Sequence, residues 1–162
     1  MATKKQEMQK FIRYYLDQTH KVEWDMHDVA AMAEKKGWKM PKPQTALEVL
    51  AKQFSDAARE ETKHDGKTGR PYRVYHAFMP DGKGQGTLWF DIDNVKVPRK
   101  YMHKSAIMRR DQMVGDALQL TLDLDHWHQN HPSEEPIDIP LDLQPDVDWA
   151  KSAMDGGDKA AA

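Results

Sequence analysis

The chain has 162 residues, a net charge of −2 and no cysteine, which bounds it to about one domain and excludes disulfides, thiolate metal sites and cysteine nucleophiles. No run approaches the roughly 18 apolar residues of a membrane span, and residues 1–7 lead into an amphipathic segment instead of an apolar signal core, so the expectation is a cytoplasmic protein. Charge is segregated: residues 1–110 hold 22 Lys/Arg against 14 Asp/Glu, and residues 111–162 hold 2 against 12. A basic body with an acidic tail points to a polyanion site, to a tail that competes for that site, or to simple self-solvation.

Met8, Phe11, Ile12, Tyr15 and Thr19 recur at three- and four-residue steps, which predicts an amphipathic helix over about residues 5–20 with its stripe toward the core. Asp25 caps a second helix carrying Val29, Met32 and Ala33; Trp24 is placed to pack on Val29, and Gly37 supplies the stop. Thr45 and Glu48 form a capping box for a third helix ending near Glu61, whose apolar face is Leu47, Leu50, Ala51, Phe54, Ala57 and Ala58. The stretch from Lys63 to Pro71 is rich in turn residues and reads as a loop.

Tyr72, Val74, His76 and Phe78 alternate with polar or smaller residues, as do Leu88, Phe90 and Ile92, so two strands form a β-hairpin around the glycine-rich connection 80–86. Pro98 starts a fourth, long helix reaching about Trp127, with one stripe of Ile107, Val114, Leu118 and Thr121 and another of Met102, Met113, Leu120, Leu124 and Trp127. Two stripes exceed one domain's needs: the helix is either largely buried or meets a second subunit, giving a homodimer. Beyond Pro132 the alternating Ile137, Ile139, Leu141 and Leu143 sit in an acidic stretch with Pro140, predicting an extended arm and a disordered end from about Met154.

Three helices followed by a β-hairpin, over about residues 5–95, resemble a winged helix-turn-helix domain. The resemblance is one of element order. It casts the segment from His27 to Gly37 as the first helix of the unit, Thr45 to Glu61 as the recognition helix and Pro80 to Gly86 as the wing, and it implies binding to double-stranded DNA in a regulatory, transcriptional role. The resulting fold class is α+β: a winged-helix-like three-helix unit with a hairpin (1–95), a long helix packed on it or forming a subunit interface (96–130), and an extended acidic arm (131–162). Candidate phosphate contacts are Lys39, Lys42, Lys63, Lys67, Arg70, Arg73 and Lys83, since lysine and arginine neutralise phosphates with counterion release. Candidate base-edge readers are Gln44, Thr45, Lys52 and Gln53, on the polar side of the third helix or just before it. The pattern departs from the family in the long connection from Gly37 to Thr45 and in Glu48, Asp56, Glu60 and Glu61 on the third helix.

Gly66-Lys67-Thr68 is not a phosphate-binding loop, because Glu61 stands where that motif needs glycine, and Gly82, Gly84 and Gly86 lack dinucleotide-loop spacing. Asp123, Asp125, His126, His128 and His131 contain metal-ligand types, but a helix splays them, so no cofactor, metal or catalytic residue is assigned. Arg99, Lys100, Lys104, Arg109 and Arg110 come early in the long helix and Asp111, Asp116, Asp123 and Asp125 late, against the helix dipole. A phosphate backbone or the acidic tail compensates such an order. The leading expectation is therefore a nucleic-acid-binding protein. The rival is a non-enzymatic interaction module for an acidic protein, and a third reading, a metal-dependent phosphodiesterase, rests on the histidine cluster alone.

Overall fold

A computed structural model describes residues 1–81 and 86–157. It shows an α+β protein of five helices and two small antiparallel hairpins, in the order α1 (Lys4–Thr19), α2 (Met26–Lys35), α3 (Ala46–Glu60), β1 (Thr62–His64), β2 (Pro71–Arg73), β3 (Tyr75–Phe78), β4 (Leu88–Asp91), α4 (Arg99–Asn130) and α5 (Gln144–Gly157). Two compact units divide the chain, Met1–Val49 and Leu50–Ala162.

In the first unit α1 packs against α2. The N-terminus of α1 is fixed by a reciprocal box: the Gln6 N–H donates to the Thr3 hydroxyl at 3.3 Å, and the Thr3 N–H donates to the Gln6 side chain at 2.8 Å. Asp25 caps α2 by accepting the His27 N–H at 2.8 Å, and Gly37 ends it at φ 82°, a left-handed backbone that favours glycine. Tyr15 and Val29 are buried, and Phe11 meets Trp38 edge-on at 5.5 Å. The box expected at Thr45 and Glu48 is present, with bonds of 2.8 and 3.2 Å starting α3.

The apolar face that the sequence gives α3 is exposed. Leu47, Leu50 and Phe54 are all exposed, and the helix buries no residue. Helical periodicity identifies which residues share a face but not what covers it.

In the second unit the buried core is Val74, Phe78 and Phe90. β3 pairs with β4 as expected, with Tyr75 opposite Asp91 and Phe78 opposite Leu88. Phe78 stacks on Tyr101 of α4 at 4.3 Å and meets Phe90 edge-on at 5.9 Å, while Ser105, only 1% exposed, lets the helix approach the sheet. The expected tip of this hairpin, with Lys83, lies outside the described residues except for Pro80, Asp81 and Gly86.

The turn-rich stretch read as a loop is itself closed into a hairpin: β1 and β2 pair with Lys63 opposite Tyr72. The Asp65 carboxylate accepts the N–H groups of Lys67 and Thr68 at 2.9 and 2.8 Å, and Gly69 takes φ 69°, so the turn residues end two short strands instead of replacing them. The C-terminal stretch is also not extended to its end: residues 144–157 form α5. Asp142 accepts the Gln144 N–H at 3.1 Å, Pro145 occupies the first turn, and Gln144 bonds Asp148 at 2.8 Å one turn on.

The backbone N–H of Thr68, then that of Lys67, holds the Asp65 carboxyl below its ordinary value. A depressed folded pKa stabilises above the unfolded value of about 3.9, and that stabilisation is lost as pH falls through the folded value. We expect the Lys67 and Thr68 amides to lose hydrogen-exchange protection only below about pH 4, and Asp65→Ala to lose it at neutral pH; equal protection in the variant contradicts this role.

Candidate nucleic-acid interface

The β3–β4 hairpin and α4 come together along a cleft of about 330 Å³ lined by Arg59, Arg73, Tyr75, His76, Ala77, Met79, Thr87, Trp89, Ser105, Met108, Arg109 and Gln112. No acidic side chain is among them. Arg59, near the end of α3, lies over the Trp89 ring with its guanidinium carbon 5.5 Å from the centroid, and it also bonds Asp56 at 2.8 Å. Arg73 ends β2, and Arg109 stands on α4 one turn beyond Ser105. Among the described residues neither Arg73 nor Arg109 forms an ion pair.

His76 is buried at the base of the cleft. Its Nε2–H donates to the Arg73 carbonyl at 2.9 Å, and its ring stacks on Phe90 at 5.6 Å, so it fixes the backbone at Arg73. Two guanidiniums without carboxylate partners among the described residues, beside half-buried Trp89 and exposed Tyr75, offer forked donors to phosphate oxygens and ring faces to bases.

Most residues singled out from sequence are not gathered here. Of the eleven candidates only Arg73 lines the cleft among the described residues. Lys63 is 3.6 Å from Asp93, whose carboxylate also accepts the Tyr72 hydroxyl at 2.9 Å. Arg70 holds Asp155 of α5 in a two-pronged pair, Nε to Oδ1 at 3.0 Å and Nη2 to Oδ2 at 2.7 Å. That pair raises the Arg70 pKa, chiefly through the hydrogen bonds. Lys67 lies in the β1–β2 turn, and Lys52 and Gln53 are exposed on α3. Lys39, Lys42, Gln44 and Thr45 belong to the first unit, where the Thr45 hydroxyl is engaged in its cap. Lys83 lies outside the described residues.

Arg59, Tyr75, Trp89 and Gln112 were not among the sequence candidates. Arg109 was signalled by the cations at the wrong end of the α4 dipole.

The histidine cluster disperses: His126 accepts from Asn130 at 3.0 Å, His128 accepts the Ile137 N–H at 2.9 Å, and His131 donates to the Trp127 carbonyl at 2.9 Å. Among the described residues no three His, Asp or Glu side chains are grouped to hold a metal ion, and no helix is long and apolar enough to cross a membrane. No protein-family model, curated protein or solved structure matches this chain.

Proposed function

We propose that the protein binds nucleic acid, with DNA as the first substrate to test, through the arginine cleft between the β3–β4 hairpin and α4. The observation that carries this reading is the pair Arg73 and Arg109, in a cleft with Tyr75 and Trp89 where, among the described residues, neither arginine has an ion-pair partner and no carboxylate lines the wall. In this reading the two guanidiniums take adjacent phosphates, while Trp89 under Arg59 and the exposed Tyr75 give a stacking surface. Lys52 and Gln53 on α3 extend the contact, as the winged-helix resemblance implies. Fluorescence anisotropy with duplex and single-stranded oligonucleotides of random sequence tests it; no binding to either form at low salt removes the reading.

The bond between Arg70 and Asp155 supports a second element of the proposal, an acidic segment that occupies a cation of the basic body. Both side chains are partly solvent-exposed, so the pair is weak and screened by salt. We expect Asp155→Asn to tighten binding to a duplex by up to about fivefold at low salt, with the gain vanishing at high salt. Unchanged or weaker binding in a titration of the variant removes the competitor role while leaving the cleft untouched.

A protein-interaction role is the second reading, and a specific observation favours it: Leu47, Leu50 and Phe54 form a continuous exposed apolar face on α3.

A further inference from the structure

Successive side chains of a strand point to opposite faces, so Arg73, Tyr75, Ala77 and Met79 share a side, and Thr87 and Trp89 join them on the paired strand; all six line the cleft. Trp89 stands directly opposite Ala77, which makes Tyr75 its diagonal neighbour, at a spacing of about 7–8 Å. Ala77 places only a methyl group between them. The two rings do not touch each other among the described residues, and no other ring or cation stacks on Tyr75, which is 39% exposed. Arg59 lies over the Trp89 ring and steadies it as the opposite wall.

A flat group seated between two rings needs two stacking steps of about 3.4 Å each, close to the diagonal spacing of Tyr75 and Trp89. A nucleobase is such a group. In a duplex both faces of every base are covered by its neighbours, so only a base outside a stack can use the Tyr75 ring. The cleft volume of about 330 Å³ lies at the low end of the roughly 300–1,000 Å³ that holds a small ligand, which is room for a nucleotide but not for a double helix. A duplex meets the arginines only with its backbone, at the mouth. Asp91, opposite Tyr75, accepts the Asp93 N–H at 2.8 Å, and its charge turns phosphates from that end toward Arg73 and Arg109.

We propose that the cleft is selective for single-stranded nucleic acid, with one base between Tyr75 and Trp89 over Ala77 and the flanking phosphates on Arg73 and Arg109. Strand selectivity rests on the nucleic-acid reading of this cleft and adds the form of the polymer to it.

Anisotropy titrations of the full chain at about 50 mM salt compare three labelled probes of equal length. These are an oligothymidylate, its duplex with oligoadenylate, and an abasic strand that carries the phosphates without bases. The oligothymidylate is expected to bind about tenfold more tightly than either of the others, the worth of about one stacked base. Tyr75→Ala removes the exposed ring, and Ala77→Ile fills the floor between the rings. Each is expected to remove that tenfold advantage, to leave abasic binding and the salt slope as in the parent, and to keep the parent's thermal denaturation. Duplex or abasic binding as tight as that of the oligothymidylate, or a Tyr75→Ala variant that binds it as the parent does, overturns strand selectivity and leaves the arginine cleft standing. No binding of any probe overturns the nucleic-acid reading itself, and strand selectivity with it.

Discussion

Replacing Arg73 and Arg109 together with alanine is expected to weaken nucleic-acid binding about a hundredfold at low salt, on the basis of roughly 1.5–3 kcal/mol for each charge-assisted hydrogen bond lost. The same change is expected to lower the slope of log affinity against log salt by about 1.8, two phosphate contacts at about 0.9 each. Neither side chain is buried and neither forms an ion pair among the described residues, so the fold is expected to survive, and thermal denaturation checks that. The lysine double variant separates charge from geometry: it keeps the salt slope but loses the forked donor pair, so an intermediate affinity is expected. If the alanine variant binds as the parent does, the cleft is not the site, and the cations of the β1–β2 hairpin or the first unit become the region to test.

Phe78→Ala is expected to cost about 3–5 kcal/mol, a large share of the roughly 5–15 kcal/mol that holds a typical domain together. Phe78 is 3% exposed and joins Tyr101 of α4 to Phe90 of β4, so truncation leaves a cavity where the hairpin meets the helix. The small size of the core magnifies the effect, because Val74 and Phe90 are the other buried apolar residues of this unit among the described positions. Phe54→Ala is the control: its ring is 68% exposed, and the same truncation there is expected to change stability by no more than about 0.5 kcal/mol in the monomer. Urea denaturation followed by circular dichroism gives both values. A loss under about 1 kcal/mol for Phe78→Ala contradicts the assignment of the core.

What was legible in the sequence is mostly local. Thr45 and Glu48, Asp25, Gly37 and Pro98 each mark a helix end through a bond or backbone angle made within a few residues, and each is found at that end. The β3–β4 pairing is legible for the same reason, from alternation on both sides of a glycine-rich connection. The β1–β2 hairpin escaped because three-residue strands show almost no periodicity and Asp65 and Gly69 dominate the local signal. α5 escaped because Asp, Gly and Pro in an acidic stretch weigh against helix, while the bond from Gln144 to Asp148 and the Asp142 cap weigh for it.

The cleft was half legible. Arg73 stood out as a cation by the hairpin and Arg109 as a cation at the wrong end of a helix dipole. Their meeting is not encoded locally: it depends on Phe78, Phe90 and Tyr101 bringing the sheet to α4, with Ser105 small enough to allow the approach. The carboxylates that neutralise Arg70 and Lys63 are equally non-local. Asp155 lies 85 residues from Arg70, and Asp93 lies far in sequence from Lys63, so counting lysines and arginines overstates the free positive charge.

The central claim is tested most directly by titrating the full chain into a fluorescent random-sequence duplex at about 50 and 200 mM salt, a range over which several phosphate contacts change affinity by orders of magnitude. Steep weakening with salt, with a slope that falls when Arg73 and Arg109 are replaced, is the result expected of an arginine cleft that holds phosphates. No binding at the lower salt, or a slope indifferent to both arginines, contradicts it.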